Sequence, residues 1–238
     1  MKKVLVYIFV LFTLILQAQN NIKKISTEME VRTIFGGQSV LTKGIVCIDL
    51  NTQKTVTKIN YPISIVTIQE KSGDIFTYEP IKNVVAQRKS GVITSSENVL
   101  KNFLTQTQND LGLKEKGFKL INSKFNKGLV ILTYEPPVIM AQKISYVELV
   151  TQNNSPIYIA NFDQKKKLIN KTYYTKYQKM HGSSLPMQII NFQYTYSDKN
   201  KKDSVVTKTL FSAIKINNNI EESIMNFKIP SNAKVVLE

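Results

Sequence analysis

Residues 94–111 form the stretch of this 238-residue chain that most clearly has the pattern of a helix. Thr94 and Glu97 have the spacing of a capping box, and Gly112 follows as a helix stop. The apolar residues that recur at the helical period are Val99, Leu100, Phe103, Leu104 and Leu111. Because a single amphipathic helix among strands must bury its apolar face on a sheet, the pattern predicts a helix packed against β-structure.

Short β-branched and aromatic runs fill most of the remaining chain, and turn residues separate them every 8 to 12 residues or so. The runs are 25–32, 40–50, 54–61, 63–69, 74–78, 83–88, 117–125, 129–134, 143–151, 157–162, 168–179, 187–196 and 204–216. This spacing predicts a mainly β (α+β) chain with a large antiparallel sheet, sandwich or barrel, and it disfavours an α/β winding.

The first 19 residues have the organisation of an export signal. Lys2 and Lys3 precede an apolar run at 4–16, which is shorter than the roughly 20 residues that span a bilayer, and Ala18 is a small residue near the expected cut. We therefore expect residues 1–19 to be a signal peptide, 20–238 to be one domain, and the product to be soluble in the periplasm. A retained membrane anchor is the alternative.

The chain is basic, with 32 Lys and Arg residues against 17 Asp and Glu residues and a formal net charge of +15. Arg32 and Arg88 are its only arginines, whereas bidentate recognition of phosphate favours arginine. We expect a solvated lysine surface and no nucleic-acid partner. Contact with an anionic surface is the alternative.

The residues that commonly carry catalysis are scarce. Cys47 is the only cysteine and lies in an apolar run, which predicts a buried small side chain and no internal disulfide. His181 is the only histidine and lies among loop residues. The sequence also lacks a phosphate loop, a zinc-ligand pattern and a recognisable carboxylate pair. We therefore expect no enzyme activity, no cofactor and no metal, unless Cys47 and His181 meet in space as a nucleophile pair.

Aromatic residues concentrate on two late runs of the sequence. They are Tyr173, Tyr174, Tyr177, Phe192, Tyr194 and Tyr196. Aromatic residues on neighbouring strands usually form cross-strand pairs and core, so that is the first expectation. The wall of a ligand cavity is the alternative.

The order of elements resembles the periplasmic outer-membrane lipoprotein carrier (LolA-like) superfamily. The resemblance covers residues 26–237 and combines a leader, a first meander, one helix, a second meander and a short closing strand. Its motifs in this chain are Gly44, Pro62, Ser72-Gly73, Tyr78-Glu79-Pro80, Phe227 with Pro230, and Val235-Val236. The segment 173–187, with Leu185-Pro186-Met187, resembles the sorting-protein branch of Bacteroidetes-type bacteria.

The resemblance implies a strongly curved antiparallel sheet, an open half-barrel, covered by a lid helix. It implies a periplasmic carrier that binds lipoprotein acyl chains or another lipid for delivery to the outer membrane, with the inner- and outer-membrane lipoprotein transfer machinery as partners. The implied ligand-binding residues of the lid are Val99, Leu100, Phe103 and Leu104. The implied sheet wall consists of Phe76, Tyr78, Tyr173, Phe192 and Tyr194.

Two features depart from that family pattern. Only a short segment separates the leader from the first strand, which leaves little room for the N-terminal amphipathic helix of such carriers. Lys54 and Lys58 stand on the strand where those carriers have an arginine. The alternative function is therefore a non-transporting envelope sensor or interaction module with the same fold.

Overall fold

The structure is a computed structural model that describes residues 22–88, 96–105, 110–196 and 202–237. The first six strands are β1 Lys24–Phe35, β2 Gln38–Asp49, β3 Lys54–Tyr61, β4 Ile65–Gln69, β5 Ile75–Glu79 and β6 Val84–Arg88. Seven more are β7 Lys119–Asn126, β8 Leu129–Glu135, β9 Tyr146–Gln152, β10 Ser155–Phe162, β11 Leu168–Met180, β12 Ser183–Tyr196 and β13 Lys202–Ile216. The remaining elements are β14 Lys234–Leu237 and the helices α1 Ser96–Thr105, α2 Val138–Ala141 and α3 Glu222–Met225.

All fourteen strands belong to one sheet, in the order β14-β6-β5-β4-β3-β2-β1-β13-β12-β11-β10-β9-β8-β7. Neighbouring strands are antiparallel, except that β14 runs parallel to β6. The pairing of β1 with β13 joins the two meanders into one surface. The sheet is curved and does not close, so β14 and β7 are its edges. The prediction of an open, strongly curved antiparallel sheet with a lid helix is confirmed.

A bulge at Gly44 shows how local sequence adapts the sheet to this shape. The register of β2 on β3 shifts between Lys43 and Gly44, and bulges of this kind bend and twist a strand. A Cβ atom at Gly44 would lie 2.4 Å from the carbonyl oxygen of Lys58. Only glycine permits this close approach of the two backbones.

The larger apolar core lies on the face of the sheet that α1 covers. It is one contiguous cluster that reaches from Val46 and Ile48 on β2 to Tyr134 on β8. These strands are seven positions apart, or roughly 34 Å along a flat sheet at about 4.8 Å per strand. A helix is about 10–12 Å across, so the sheet must curl around α1, and this face is the concave one.

A second core covers part of the convex face. Cys47, Val56 and Val66 form it with the segment 220–229, which contains α3. Phe227 packs on Tyr78 with ring centroids 5.9 Å apart. The C-terminal part of the chain therefore seals the convex side of β2–β5.

Helix α1 does not continue to Leu111 as the sequence pattern predicted. Its described residues are Ser96–Thr105, and the chain has already turned at Leu111, where φ is 56°. Asp110 stabilises this turn, because its carboxylate accepts the N–H groups of Gly112 at 3.0 Å and Lys114 at 3.3 Å. Leu111 is nevertheless buried in the concave core. The predicted capping box lies outside the described residues, since it involves Thr94 and a side chain in the first turn.

Candidate functional site

The apolar face of α1 closes over strands β11 and β12. Leu100 is completely buried, and Phe103 and Leu104 are nearly so. The ring of Phe103 meets Tyr174 edge-on at 5.3 Å and Tyr177 at 6.0 Å between centroids. Such edge-to-face pairs contribute about 0.5–1.5 kcal/mol each beyond the burial of their area. These three described lid residues therefore seal the core in this conformation, and the side chain of the fourth, Val99, lies outside the described part of the chain.

The concave floor beneath the helix is almost entirely aliphatic and aromatic. Its buried members include Ile25, Met29, Val46, Ile48, Val147, Leu149, Leu185, Ile189 and Phe211. Half-buried methionines extend it at Met140, Met180 and Met187. Methionine adapts to irregular apolar shapes, so this floor can accommodate a flexible chain without a fixed outline.

Two tyrosines of the floor hold their hydroxyl groups in the interior. Burial raises the pKa of Tyr174, and burial together with the nearby Tyr174 raises the pKa of Tyr177. The Tyr177 hydroxyl donates a hydrogen bond to the carbonyl oxygen of Pro156. Both groups are therefore neutral, and the floor beneath Phe103 carries no charge.

Polar contacts fix the two sides of α1. Lys101 Nζ donates to the carbonyl oxygen of Gln53 in the β2–β3 turn at 3.2 Å, and desolvation lowers the pKa of this lysine. Asn102 Nδ2 donates to the carbonyl oxygen of Leu111 at 3.2 Å. These two bonds tie α1 to the β2–β3 turn on one side and to the segment that follows the helix on the other.

The concave face becomes polar two residues further along the strands, away from α1. Asn191 Nδ2 donates to Thr172 Oγ1 at 2.8 Å, and Asn161 Nδ2 donates to Asn170 Oδ1 at 2.6 Å. The hydroxyls of Thr33 and Thr207 lie 3.5 Å apart on the same face. We call these residues of β1, β13, β12, β11 and β10 the polar ladder. The concave face thus has an apolar part under the helix and a neutral polar part beside it.

The five residues predicted as the sheet wall lie on the opposite face. Phe76 and Tyr78 pair with Ile68 and Val66 and pack in the convex core beneath Phe227. Side chains alternate between the faces of a strand, so these two cannot face α1. The sequence prediction is corrected on this point.

The late aromatic residues of that prediction lie on the convex face for the same reason. Tyr174 pairs with Ile189 on the concave side, which turns the adjacent Tyr173 to the convex side beside Phe192. The rings of Tyr173 and Phe192 meet at 6.1 Å, and Phe192 stacks with Tyr194 at 6.4 Å. Lys171 Nζ lies 4.9 Å from the Phe192 ring centre, which makes a cation–π contact. Tyr173 and Phe192 thus form a cross-strand pair, as the first expectation had it, and Phe192 and Tyr194 stack along one strand.

The residues that form the concave floor were partly visible in the sequence. Tyr174 and Tyr177 belong to the aromatic cluster that the sequence revealed, but their face could not be assigned without the register. Leu185, Ile189 and Phe211 each have one polar and one apolar neighbour, so a period of two did not show which face they occupy. The polar ladder had no signal, because its members meet only across strands.

The sole cysteine and sole histidine do not meet. Cys47 is fully buried on the convex side of β2, where desolvation and the nearby Glu221 and Glu222 raise the pKa of its thiol to about 12. His181 lies exposed in the β11–β12 turn, with β1, β13 and β12 between its turn and β2. Three strand spacings are roughly 14 Å, too far for proton transfer.

The described residues include no group of three or more His, Cys, Asp or Glu side chains that could hold a metal ion. None of the helices within the described ranges is long and apolar enough to cross a membrane.

Comparison with known proteins gives no match to a family model or to a curated protein. Solved structures do match. A candidate outer membrane lipoprotein-sorting protein domain from Vibrio parahaemolyticus has a TM-score of 0.59 and 14% identity over 88% of this chain and 92% of its own. A LolA superfamily protein from Nitrosomonas europaea has a TM-score of 0.56 and 12% identity over 87% and 90%. A DUF1329 family protein from Desulfovibrio piger has a TM-score of 0.56 and 13% identity over 88% and 92%.

These similarities extend over nearly the whole of each chain, so they establish the fold. The chain has the fold of the LolA-like superfamily, as the order of its sequence elements predicted. Its placement in the Bacteroidetes-type branch stays a prediction.

Proposed function

We propose that this protein is a periplasmic carrier that binds the acyl chains of a lipoprotein, or another lipid, between α1 and the concave face and delivers them to the outer membrane. The observation that carries the proposal is the division of the concave face. An apolar floor under a single short helix fits acyl chains, and the polar ladder beside it fits the ester, amide or headgroup to which they are attached.

The energetics permit the exchange of helix for ligand. Lifting α1 exposes Leu100, Phe103 and Leu104, at a cost of about 1.5–3 kcal/mol for each side chain. An acyl chain that buries about ten methylenes gains about 8 kcal/mol, at about 0.8 kcal/mol each. The two quantities are of the same size, so an acyl chain can replace the helix contacts on the floor, and the helix can close again over the bound chain.

The handing-over steps would involve the inner- and outer-membrane lipoprotein transfer machinery as donor and acceptor. Support for such partners comes from the fold shared with the lipoprotein-sorting domain of Vibrio parahaemolyticus. The export expected for residues 1–19 would place the domain between these membranes.

The test begins with mass spectrometry of the protein purified, under native conditions, from the envelope of its own cells. We expect a co-purified acylated lipoprotein or lipid, and saturable binding of a fluorescent fatty acid to the delipidated protein. Absence of both would contradict the carrier proposal. A matched comparison of wild type with Leu100→Asp should show weaker binding, because a charge then faces the apolar floor.

A transfer assay separates the carrier from the non-transporting sensor. Donor vesicles containing a fluorescent acylated peptide are mixed with acceptor vesicles, and the protein is added in catalytic amount. A carrier accelerates the transfer in proportion to its concentration. A sensor binds the ligand and leaves the transfer rate unchanged.

A further inference from the structure

The strand directions place several loops at one end of the half-barrel. Because β1 and β3 run toward this end and β2 and β4 run back, the β1–β2 and β3–β4 loops both lie there. The same alternation brings the β5–β6 loop, the β8–β9 loop with α2, and the β10–β11 turn to this end. The β2–β3, β4–β5, β7–β8, β9–β10 and β11–β12 turns lie at the other end.

Exposed apolar side chains collect on the first of these ends. Val138 is 91% exposed and Ile139 is 88% exposed on the β8–β9 loop, and Ile81 is 81% exposed on the β5–β6 loop. Phe35, the last residue of β1 before the β1–β2 loop, and Ile63 on the β3–β4 loop are each more than half exposed. We call these five residues the apolar rim. Ile34, Val40 and Tyr61 are also exposed at this end, on β1, β2 and β3, and the remaining large exposed apolar residues of the described chain lie on the edge strands β7 and β14.

The turns at the other end have a contrasting composition. They consist of Asn-Thr-Gln at 51–53, Lys-Ser-Gly at 71–73, Asn-Lys-Gly at 126–128, Asn-Asn at 153–154 and His-Gly at 181–182. Loops exposed to water ordinarily have such residues. The apolar side chains of the rim therefore do not reflect a general property of this chain's loops.

Positive charge accompanies the rim. Lys143 follows α2, and Lys165 and Lys166 form the β10–β11 turn, all three exposed at the same end. Three carboxylates at this end have local partners: Glu79 lies 3.0 Å from Lys82, Asp163 accepts backbone N–H groups of its own turn, and Asp203 accepts the N–H of Ser204. Glu135 is exposed there as well. With a net charge of +15 over the chain, this end is complementary to an anionic surface.

We propose that the apolar rim docks this protein on an anionic phospholipid bilayer. The rim residues are dispersed singly or in pairs over four loops, and the β1–β2 hairpin extends about five residues beyond the end of β3, since β3 pairs with β2 only as far as Lys43. Apolar residues on separate loops along a curved sheet edge do not form the compact apolar patch of a protein interface. They can each enter the headgroup region of one flat membrane, while the lysines bind its negative charge.

This docking goes beyond acyl carriage and does not require it. The polar ladder lies on the concave face in the half toward the rim, as the positions of Thr33 near the end of β1 and Asn191 near the end of β12 show. A bilayer at the rim would therefore face the polar end of the concave face, with α1 at the far end.

The test measures co-flotation of the exported, purified protein with vesicles. Vesicles of phosphatidylethanolamine and phosphatidylglycerol should bind the wild type, and vesicles of phosphatidylethanolamine and phosphatidylcholine should bind it much more weakly. Val138→Ser/Ile139→Ser should lower the association constant for anionic vesicles about tenfold or more, because two nearly fully exposed apolar side chains no longer enter the interface. Phe35→Ser/Ile81→Ser should have a similar effect from separate loops.

Phe125→Ser is the matched control, since Phe125 is 77% exposed but lies on β7 near the opposite end. It should bind vesicles like the wild type. Lys165→Glu/Lys166→Glu should weaken binding to anionic vesicles and reduce its dependence on salt. All of these residues are exposed, so the melting temperatures should stay close to that of the wild type.

Three outcomes would overturn the proposal. They are equal binding to neutral and anionic vesicles, wild-type binding by both rim variants, and loss of vesicle binding in the Phe125 control as strong as in the rim variants. Acyl binding measured on the same samples keeps the two proposals apart. Vesicle binding without acyl binding would refute the carrier proposal and support docking by the apolar rim. Acyl binding without vesicle binding would support the carrier proposal and refute docking by the rim.

Discussion

Truncation of Phe103 tests whether α1 is a lid that moves or a fixed part of the core. Phe103 is 8% exposed and contacts Tyr174 and Tyr177 of the floor. In a rigid core, Phe→Ala costs about 3–5 kcal/mol. At about 2–4 °C per kcal/mol for a domain of this size, the melting temperature would fall by about 6–20 °C.

We expect a smaller fall, of less than about 5 °C, for Phe103→Ala. If the helix undocks on its own, a substitution in it can destabilise the protein by at most the free energy of docking the helix, because the sheet beneath it remains folded. The dissociation constant for a fluorescent fatty acid should rise about tenfold, because the lid then closes less firmly and contacts the acyl chain less well. Differential scanning calorimetry and fluorescence titration measure the two effects on the same samples.

Two other phenylalanines calibrate this result. Phe211 lies in the concave core on β13 itself, so Phe211→Ala should give the full fall of about 6–20 °C. Phe227 packs on Tyr78 on the convex face, so Phe227→Ala should lower stability without changing acyl affinity. If Phe103→Ala lowers the melting temperature as much as Phe211→Ala does and leaves acyl affinity unchanged, the helix is only structural and the reasoning fails.

Three further predictions concern the sheet. The pKa of the Cys47 thiol is raised to about 12 from an ordinary 9.0. The stability that the protonated thiol contributes is therefore complete below pH 9 and is lost as the pH rises toward 12. Denaturant titrations at pH 8 and 11 should show a larger loss of unfolding free energy for wild type than for Cys47→Ala. Gly44→Ala should cost more than about 3 kcal/mol of stability, since the new Cβ would meet the backbone of Lys58. Gly128→Ala should cost about 1 kcal/mol, since Gly128 has a φ of 83° but open space around it. Equal losses of stability in urea melts would contradict the steric argument. Ser26→Ala should stabilise the protein by about 1 kcal/mol, because its buried hydroxyl has no hydrogen-bond partner among the described residues. A lower urea midpoint would speak against that.

Local sequence patterns were sufficient to predict most of the elements. β3 begins and ends at the predicted residues, 54 and 61, and the other strands differ from the predicted runs by a few residues at their ends. The strands could be predicted from the sequence because period-two alternation and turn residues are local signals. The helix was predicted to continue to Leu111, since this apolar residue kept the helical period, whereas the backbone has already turned at Asp110 and Leu111.

The same local patterns did not predict which face of the sheet each strand residue occupies. Phe76, Tyr78, Tyr173, Phe192 and Tyr194 are apolar enough for either side of the sheet, and both sides of this sheet carry a core. A one-residue change of register exchanges the two faces, and register depends on irregularities such as the one beside Gly44 and the one between Ser26 and Glu28.

By itself, the sequence determined a basic, mainly β chain with a single amphipathic helix and a buried thiol, because periodicity, turn chemistry and composition are properties of neighbouring residues. Only the tertiary structure decided which residues lie beneath α1, how Asn and Thr side chains of five strands form the polar ladder, and which loops share the apolar rim. These groupings depend on strand order and on the curvature of the sheet, which bring together residues that are far apart along the chain.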